Sequence, residues 1–441
     1  MTQQILVSFE GTSSGIGELT WGQLDIWAAM QRQRSSLCVG GAFPLPPGTT
    51  VTKVAADLRF LMCRHDCLRT RLRFAADGRP LQVVSRSGEV PLDVIDPGNA
   101  DPADIAAAIH AHYEDQVFDY VREWPIRWAV IAKGTVATHL VSAISHVAVD
   151  GMGALVLHND LARRDPVTGR ANGPVTALQP LELARQQRTP AARRSSSAAL
   201  RYWERTLRSI PARRFAVSAD QRSPRYWQAT YHSPASYLAV QKLASRSRAS
   251  TSAVLLAAYA VILSRIAASH PAVIQVVADN RFHRGFAEVA SPLATSIPCV
   301  IDVAVAAFDE VVARAARTTL NAYKLAYYNP VERAELEARI GQERGEAVDV
   351  SCYFNDRRMS SRTEPAEGQQ PTAREVRAAL PRSVLTWGWQ RDLPCDTCYL
   401  SLNNVQGTLC YELYADTRYL PPADMEACLR GLEVTVVDAA S

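Results

Sequence analysis

The residues with the clearest chemical potential stand close together, in Ser145-His146-Val147-Ala148-Val149-Asp150-Gly151. Imidazole is the one side chain whose ordinary pKa lets it give or take a proton near neutrality. An Asp four residues later can hold a loop by pairing with an Arg. A Gly after it lets another group come close to the backbone. An apolar, strand-like run, Thr138 to Ile144, leads into this stretch, and a helical pattern, Met152 to Leu161, leads out. His146 is thus expected on a strand-to-helix loop. The spacing alone also occurs in ordinary loops, so the rest of the chain has to decide.

Other candidate chemistry is thinner. Cys395-x2-Cys398 and Cys63-x3-Cys67 lack a second pair of Cys or His at finger spacing, so they read as small buried hydrophobes and no metal is expected. Trp387-Gly388-Trp389 reads as core aromatics. No G-x-G-x-x-G opens a helix after a strand, no G-x4-G-K-[ST] is present, and no G-x-S-x-G elbow occurs. Nothing matches a nucleic-acid-binding motif.

The elements around the loop follow from periodicity. Leu19 to Met30 reads as a helix capped by Thr20, with Leu24, Trp27 and Ala28 on one face. Phe43 to Gly48 reads as a Pro-rich loop. Thr50 caps a second helix with Val54, Leu58, Leu61 and Met62 inward, ending near Arg64-His65-Asp66. Cys67 to Phe74 and Leu81 to Val84 read as strands joined at Asp77-Gly78. A helix over 101–118 precedes strands 127–132 and 138–144.

Arg163 to Pro190 is rich in Pro, Gly and polar residues and marks a linker. The fold expected is α/β with mixed sheets, in two parts: an N-terminal one over 1–175 that carries the loop, and a C-terminal one over 176–441. In the latter, helices are expected over 195–207, 251–267, 308–324, 331–340 and 422–435. Strands are expected over 226–232, 272–278, 298–305, 348–354, 383–389, 398–403 and 408–414, with Tyr237 to Val240 a short extended stretch. Ser360 to Glu375 reads as a mobile polar loop.

Size and composition set outer bounds. At 441 residues the core can be large enough to need no disulfides, and nine scattered cysteines suit reduced thiols in the cytoplasm. No secretory leader pattern is visible, and the most apolar run, Ala253 to Leu263, is too short to span a bilayer. Net charge is only +4, yet Arg185 to Arg225 holds eleven Arg against Glu204 and Asp220. That stretch reads either as a solvated linker or as a surface for acidic partners.

In order and spacing the landmarks resemble the condensation-domain superfamily of nonribosomal peptide synthesis, relatives of chloramphenicol acetyltransferase. The loop is similar to that family's H-H-x-x-x-D-G, with Ser145 in place of the first His. Thr20 to Trp27 resembles S-x-A-Q-x-R-L-W, and Arg64-His65-Asp66-Cys67-Leu68-Arg69-Thr70 resembles R-H-E-x-L-R-T most closely. Ser291 to Val300 with Asp302 is similar to the G-x-F-V-N-T-L-P entry. Tyr327 to Pro330, Phe354-Asn355 and Gly407 to Leu420 complete a likeness over nearly the whole chain.

The resemblance implies two chloramphenicol-acetyltransferase-like lobes in a V-shaped pseudo-dimer with a central tunnel, and His146 within it. It implies a stand-alone enzyme that joins an acyl or peptidyl thioester on a carrier protein to an amine or hydroxyl, with His146 as base or positioning residue. Gly151 would leave room for the phosphopantetheine arm and offer a backbone N–H to the oxyanion. Asp150 would pair with Arg64 or Arg69, and Ser145 would donate to a backbone carbonyl. No intrinsic cofactor, membrane or nucleic acid enters this reading. The partners are acyl or peptidyl carrier proteins and a small-molecule or carrier-bound nucleophile, and a monomer is the default. Two alternatives stay open: a non-catalytic relative that recruits another enzyme to a carrier-bound peptide, and an acyl-CoA-dependent ester-forming acyltransferase.

Overall fold

The computed structural model describes residues 2–165, 168–171, 173–267, 269–304, 307–358 and 370–441. It divides into two compact units. The first is Met1–Arg194 with Asp279–Ala294; the second is Ser195–Ala278 with Thr295–Ser441. The division after 175 expected from composition therefore moves to Arg194. The Pro- and Gly-rich stretch marks a loop but not the end of packing. Its second half holds a helix, Pro180–Gln187, and stays packed: Gln179 accepts from the Asp66 N–H at 2.9 Å and Gln187 accepts from the Trp21 N–H at 2.9 Å.

The first unit runs β1 (Thr2–Glu10), β2 (Gly15–Glu18), α1 (Trp21–Gln33), β3 (Val39–Pro44), α2 (Val51–Arg64), β4 (Thr70–Phe74), β5 (Pro80–Val84), β6 (Ser87–Ile95), α3 (Pro102–Asp115), β7 (Ile126–Lys133), β8 (Val136–Ile144), α4 (Gly151–Ala162) and α5 (Pro180–Gln187). Its main sheet has the order β1-β6-β7-β8-β3, parallel only between β6 and β7, and a small sheet has the order β2-β5-β4. Alternation places Trp128, Val130 and Ala132 of β7 against α2 and α4, through Leu58, Met62, Val156 and Leu157. Ala129 and Ile131, on the other face, meet Ala106 and Tyr113 of α3. Burial on both faces makes β7 continuously apolar and fixes the register of β8, the strand that delivers His146.

The second unit runs α6 (Pro190–Ser209), β9 (Tyr226–Ser233), α7 (Pro234–Ser247), α8 (Thr251–Ile266), β10 (Ala272–Ala278), β11 (Thr295–Ile301), α9 (Phe308–Tyr323), α10 (Pro330–Arg344), β12 (Cys352–Asp356), α11 (Ala373–Ala379), β13 (Val384–Arg391), β14 (Cys398–Val405), β15 (Thr408–Asp416) and α12 (Pro422–Ala440). Its mixed sheet has the order β11-β10-β12-β14-β15-β9-β13. One face, with Ile274, Phe354, Leu400 and Leu413, packs on α7, α8, α9 and α12. On the opposite face Tyr353, Tyr399 and Tyr414 stack in a row, at 5.2 and 5.0 Å between ring centroids.

Several expectations shift. Tyr237 to Val240 lies inside α7, because Ser233 caps a helix that begins with Pro234 and buries Ala239, Val240 and Leu243 at helical spacing. Strands β1, β2, β3 and β6 were not anticipated, and β3 runs to Pro44, into the stretch read as a loop. Trp387 is 39% exposed, because β13 is an edge strand and not core. Of the polar stretch 360–375, residues 360–369 lie outside those described, and its end forms the cap and first turn of α11. Among the described residues no single helix is long and apolar enough to cross a membrane.

The chain between β10 and β11 is Asp279–Ala294, and it packs within the first unit. Two glycines admit it. A Cβ on Gly22 of α1 would lie 2.0 Å from the Pro292 carbonyl oxygen, and one on Gly153 of α4 would lie 1.9 Å from that of Ala290. A Cβ on Gly151 would meet nothing within 4 Å. Gly22→Ala and Gly153→Ala should each lower stability by about 1–3 kcal/mol through overpacking. Gly151→Ala should leave the unfolding midpoint within about a degree of wild type, by calorimetry.

Candidate active site

β8 ends at Ile144, paired with Val39 on one side and Ile126 on the other. The next N–H, from Ser145, donates to the Pro125 carbonyl at 2.9 Å, and the His146 N–H donates to the Ser36 carbonyl at 3.1 Å. A tight turn follows, in which the Ala148 N–H donates to the Ser145 carbonyl at 2.9 Å. Val147, Ala148 and Val149 are all buried. Val147 joins Leu19, Met30 and Leu72, and Ala148 and Val149 join the main core. The three residues between His and Asp are thus the loop's apolar anchor. His146 itself is half-buried, with its Nδ1 out of solvent.

Asp150 is the N-cap of α4, and its Oδ1 accepts from the Gly153 N–H at 2.7 Å. The rest of its carboxylate is turned to the Asp279–Ala294 segment. Arg281 donates from Nη1 to Oδ2 at 3.0 Å and lies with Nη2 2.7 Å from Oδ1. The Leu293 and Ala294 N–H groups donate to Oδ2 at 2.9 and 3.1 Å. Both side chains are about 5% exposed or less. Arg281 also donates to the Val289 and Ser291 carbonyls, at 2.9 and 3.2 Å from Nη2. Asn280, left-handed at φ 57°, donates to the Leu293 carbonyl at 2.8 Å. One guanidinium therefore holds the segment's shape and binds it to the foot of the His146 loop.

Arg281 is the partner that sequence reasoning missed, and Arg64 and Arg69 do not touch Asp150. Arg64 donates from Nε and Nη2 to Asp160 at 2.7 and 2.9 Å, where the His65 ring also makes a 2.9 Å contact. Asp160 lies on the last turns of α4, ten residues and about 15 Å along the helix from Asp150. Arg69, fully buried, pairs with Asp66 and donates to the carbonyls of Ser13 and Ser85. The motif thus anchors the far end of α4 and the β1–β2 connection. A signal for Arg281 existed. β10 and β11 are antiparallel neighbours with Ala278 opposite Thr295, yet the chain between them far exceeds the roughly 2–5 residues of a usual hairpin.

Ser145 is fully buried and donates to the Tyr120 hydroxyl at 3.2 Å, not to a backbone carbonyl. Tyr120 in turn donates to Ser36 Oγ at 2.6 Å. Burial pushes the Tyr120 phenol above its ordinary pKa, so it stays neutral and a donor. At Asp160, burial favours the acid form, but hydrogen bonds from His65 and Arg64 overcome it and hold the carboxyl well below the usual range.

With this geometry in place, the comparisons with known proteins agree. The family model for the condensation domain matches residues 18–376, and the chain belongs to the condensation-domain family. That family's chemistry is acyl or peptidyl transfer in biosynthesis of the nonribosomal-peptide type. No curated protein sequence matches the chain. Among solved structures it is similar to one described as the molecular basis for condensation domain-mediated chain release from the enacyloxin polyketide synthase. The TM-score is 0.75 at 20% identity, over 98% of this chain and 83% of that one. It is similar to the X-domain from teicoplanin biosynthesis, also solved in complex with OxyB. There the TM-score is 0.71 at 19% identity, over 98% and 96%. It is similar also to the SgcC5 protein from Streptomyces globisporus, solved with (R)-(-)-1-(2-naphthyl)-1,2-ethanediol and sucrose. There the TM-score is 0.71 at 17% identity, over 95% and 98%. At such identities the likeness is one of fold.

Two predictions follow from the anchors. Arg281→Met leaves a buried carboxylate without its charge partner and should cost about 3–5 kcal/mol, whereas Arg64→Met should cost less, because Asp160 keeps His65 and partial solvent. Urea unfolding of the two variants compares them. The Asp160 carboxyl binds its proton less readily folded than unfolded, so its stabilisation is complete above the unfolded value near pH 4 and fades below it. Asp160→Asn should therefore lose about 1.5–3 kcal/mol at pH 7, with the gap to wild type narrowing below about pH 4.

Proposed function

We propose that the protein condenses an acyl or peptidyl thioester, presented on a carrier protein's phosphopantetheine arm, with an amine or hydroxyl nucleophile. The observation that carries this reading is His146. It is a half-buried imidazole on a loop held at both ends, by the Ser36 carbonyl that accepts its own N–H and by the Asp150 carboxylate, with Val147, Ala148 and Val149 buried between. The neutral imidazole accepts the nucleophile's proton as the C–N or C–O bond forms. The tetrahedral intermediate then expels the pantetheine thiolate, which takes the proton back from the imidazolium. Base assistance of this kind is worth about 10²–10⁴-fold. Holding both reactants in place contributes further.

Gly151 opens α4, so its N–H has no acceptor within the helix, and it faces open space on its Cα. A backbone donor there suits the developing oxyanion, and the bare Cα suits a close-lying pantetheine arm. Similarity to a condensation domain that acts in polyketide chain release, and to a protein captured with a vicinal diol, supports including hydroxyl nucleophiles.

Carrier proteins as partners, and a cytoplasmic site of action, belong to the same reading. Of the arginines between 185 and 225, Arg188, Arg208, Arg213, Arg222 and Arg225 meet carboxylates, and Arg214 is buried against backbone carbonyls. The surplus charge is smaller than composition suggested. What is left is concentrated on α6, where Arg201 and Arg205 are exposed on one side, and this suits an acidic carrier.

A second reading, recruitment of a partner enzyme without catalysis, draws on the likeness to the X-domain seen with OxyB and on the serine at 145. The test is His146→Ala with a loaded carrier protein and a panel of amines and alcohols, product followed by mass spectrometry. The expected result is a fall of about 10²–10⁴-fold with the unfolding midpoint kept. Unchanged product formation removes the base role. Turnover of free acyl-CoA at the carrier-bound rate removes the carrier requirement.

A further inference from the structure

We infer that Tyr120 is a positioning residue for His146, holding the Ser145–His146 peptide through a closed ring of hydrogen bonds that passes through Ser36. This deepens the proposed function and rests on His146 acting in the reaction.

The ring has four members. The His146 N–H donates to the Ser36 carbonyl at 3.1 Å. The Ser145 hydroxyl, on the other side of the same peptide link, donates to Tyr120 Oη at 3.2 Å. Tyr120 donates to Ser36 Oγ at 2.6 Å and closes the circuit. Ser36 Oγ accepts a second bond, from the Phe118 N–H, at 2.9 Å. Ser36 and Ser145 are both fully buried, so neither has water as an alternative partner. Turning the Ser145–His146 peptide would break bonds on both of its sides at once.

Each corner is itself fixed. Tyr120's carbonyl accepts from the Leu72 N–H at 2.7 Å, and its ring meets Trp27 edge-on at 5.2 Å. Ser36 sits between Arg34 and Leu37, both left-handed with φ near 47°. That local turn aims the Ser36 carbonyl and hydroxyl at the loop together. The compact Ser145 side chain is what leaves the phenol its place. The family loop carries an imidazole at this position, and in this chain the phenol supplies the hydrogen-bonding group from another element.

The test is a double-mutant cycle in the condensation assay. Tyr120→Phe deletes one hydroxyl and leaves the ring's packing. It should lower kcat about tenfold, the worth of one buried hydrogen bond, with KM for both substrates within about twofold. Ser145→Ala breaks the same bond, so it should behave alike, and the double variant should lose no more than either single one. In a His146→Ala background Tyr120→Phe should be silent, because it acts through the imidazole. If His146→Ala is inactive while Tyr120→Phe keeps full kcat, the inference fails and the proposed function stands. A loss of kcat that persists undiminished in the His146→Ala background also overturns it, by making Tyr120's role independent of His146. If His146→Ala itself keeps full activity, the reading beneath both fails.

Discussion

One buried carboxylate organises the candidate site. Asp150 accepts from the Gly153, Leu293 and Ala294 N–H groups and from two nitrogens of Arg281, so nearly every lone-pair direction is filled. A carboxylate taken out of water is costly unless it is paired and fully hydrogen-bonded, and here it is both. Strength matters less in this arrangement than exclusivity. Five donors converge on this one carboxylate, which fixes where α4 starts and where the His146 loop ends. The tight contacts at Gly22 and Gly153 follow from the same fact, since Leu293 and Ala294 reach the carboxylate only if their segment lies against the helices.

The spacing of the loop then has a physical account. His-x3-Asp places two polar residues at the ends of a turn whose middle, Val147 to Val149, is buried. Hydrophobic burial holds the middle, the carboxylate holds one end, and β8 with the Ser36 contact holds the other. The imidazole stands on a backbone fixed on both sides. A base contributes when its nitrogen sits within hydrogen-bond reach of the proton it takes, and small misplacements are expensive. Rigid anchoring of the backbone that carries the ring is what such chemistry requires.

Much of this was legible beforehand and the rest was not, for separable reasons. Thr20 and Thr50 announced α1 and α2, and both caps form as expected; Thr20 completes a capping box with Gln23. Local rules served because capping is local. The apolar runs of β7 and β8 were equally plain. The face chosen for α1 was less so. Leu24 and Trp27 are half-exposed, while Trp21, Gly22 and Gln23 are buried; Pro292 lies against Gly22 and Gln187 meets Trp21, from directions that periodicity within the helix does not report. The same distance in sequence hid Arg281. Arg64 and Arg69 stood in a stronger motif and attracted the pairing, yet each has a nearer acid, Asp160 and Asp66. A motif identifies residues that matter; which charge meets which is settled by the path of the chain.

The serine at 145 sharpens this point. A departure from a family pattern invites the view that the site has decayed. A decayed position, however, would leave a buried hydroxyl idle or fill the space with apolar atoms, since an unsatisfied buried polar group costs about 1–3 kcal/mol. Ser145 is instead one corner of a ring built with Tyr120 and Ser36, residues from two other loops, and Ser36 Oγ also takes the Phe118 N–H. Three hydroxyls meeting by drift is a poor account of that geometry. The loop keeps the imidazole and the carboxylate, and its serine is hydrogen-bonded, which is the condition the proposed role of His146 needs and a decayed loop would not meet.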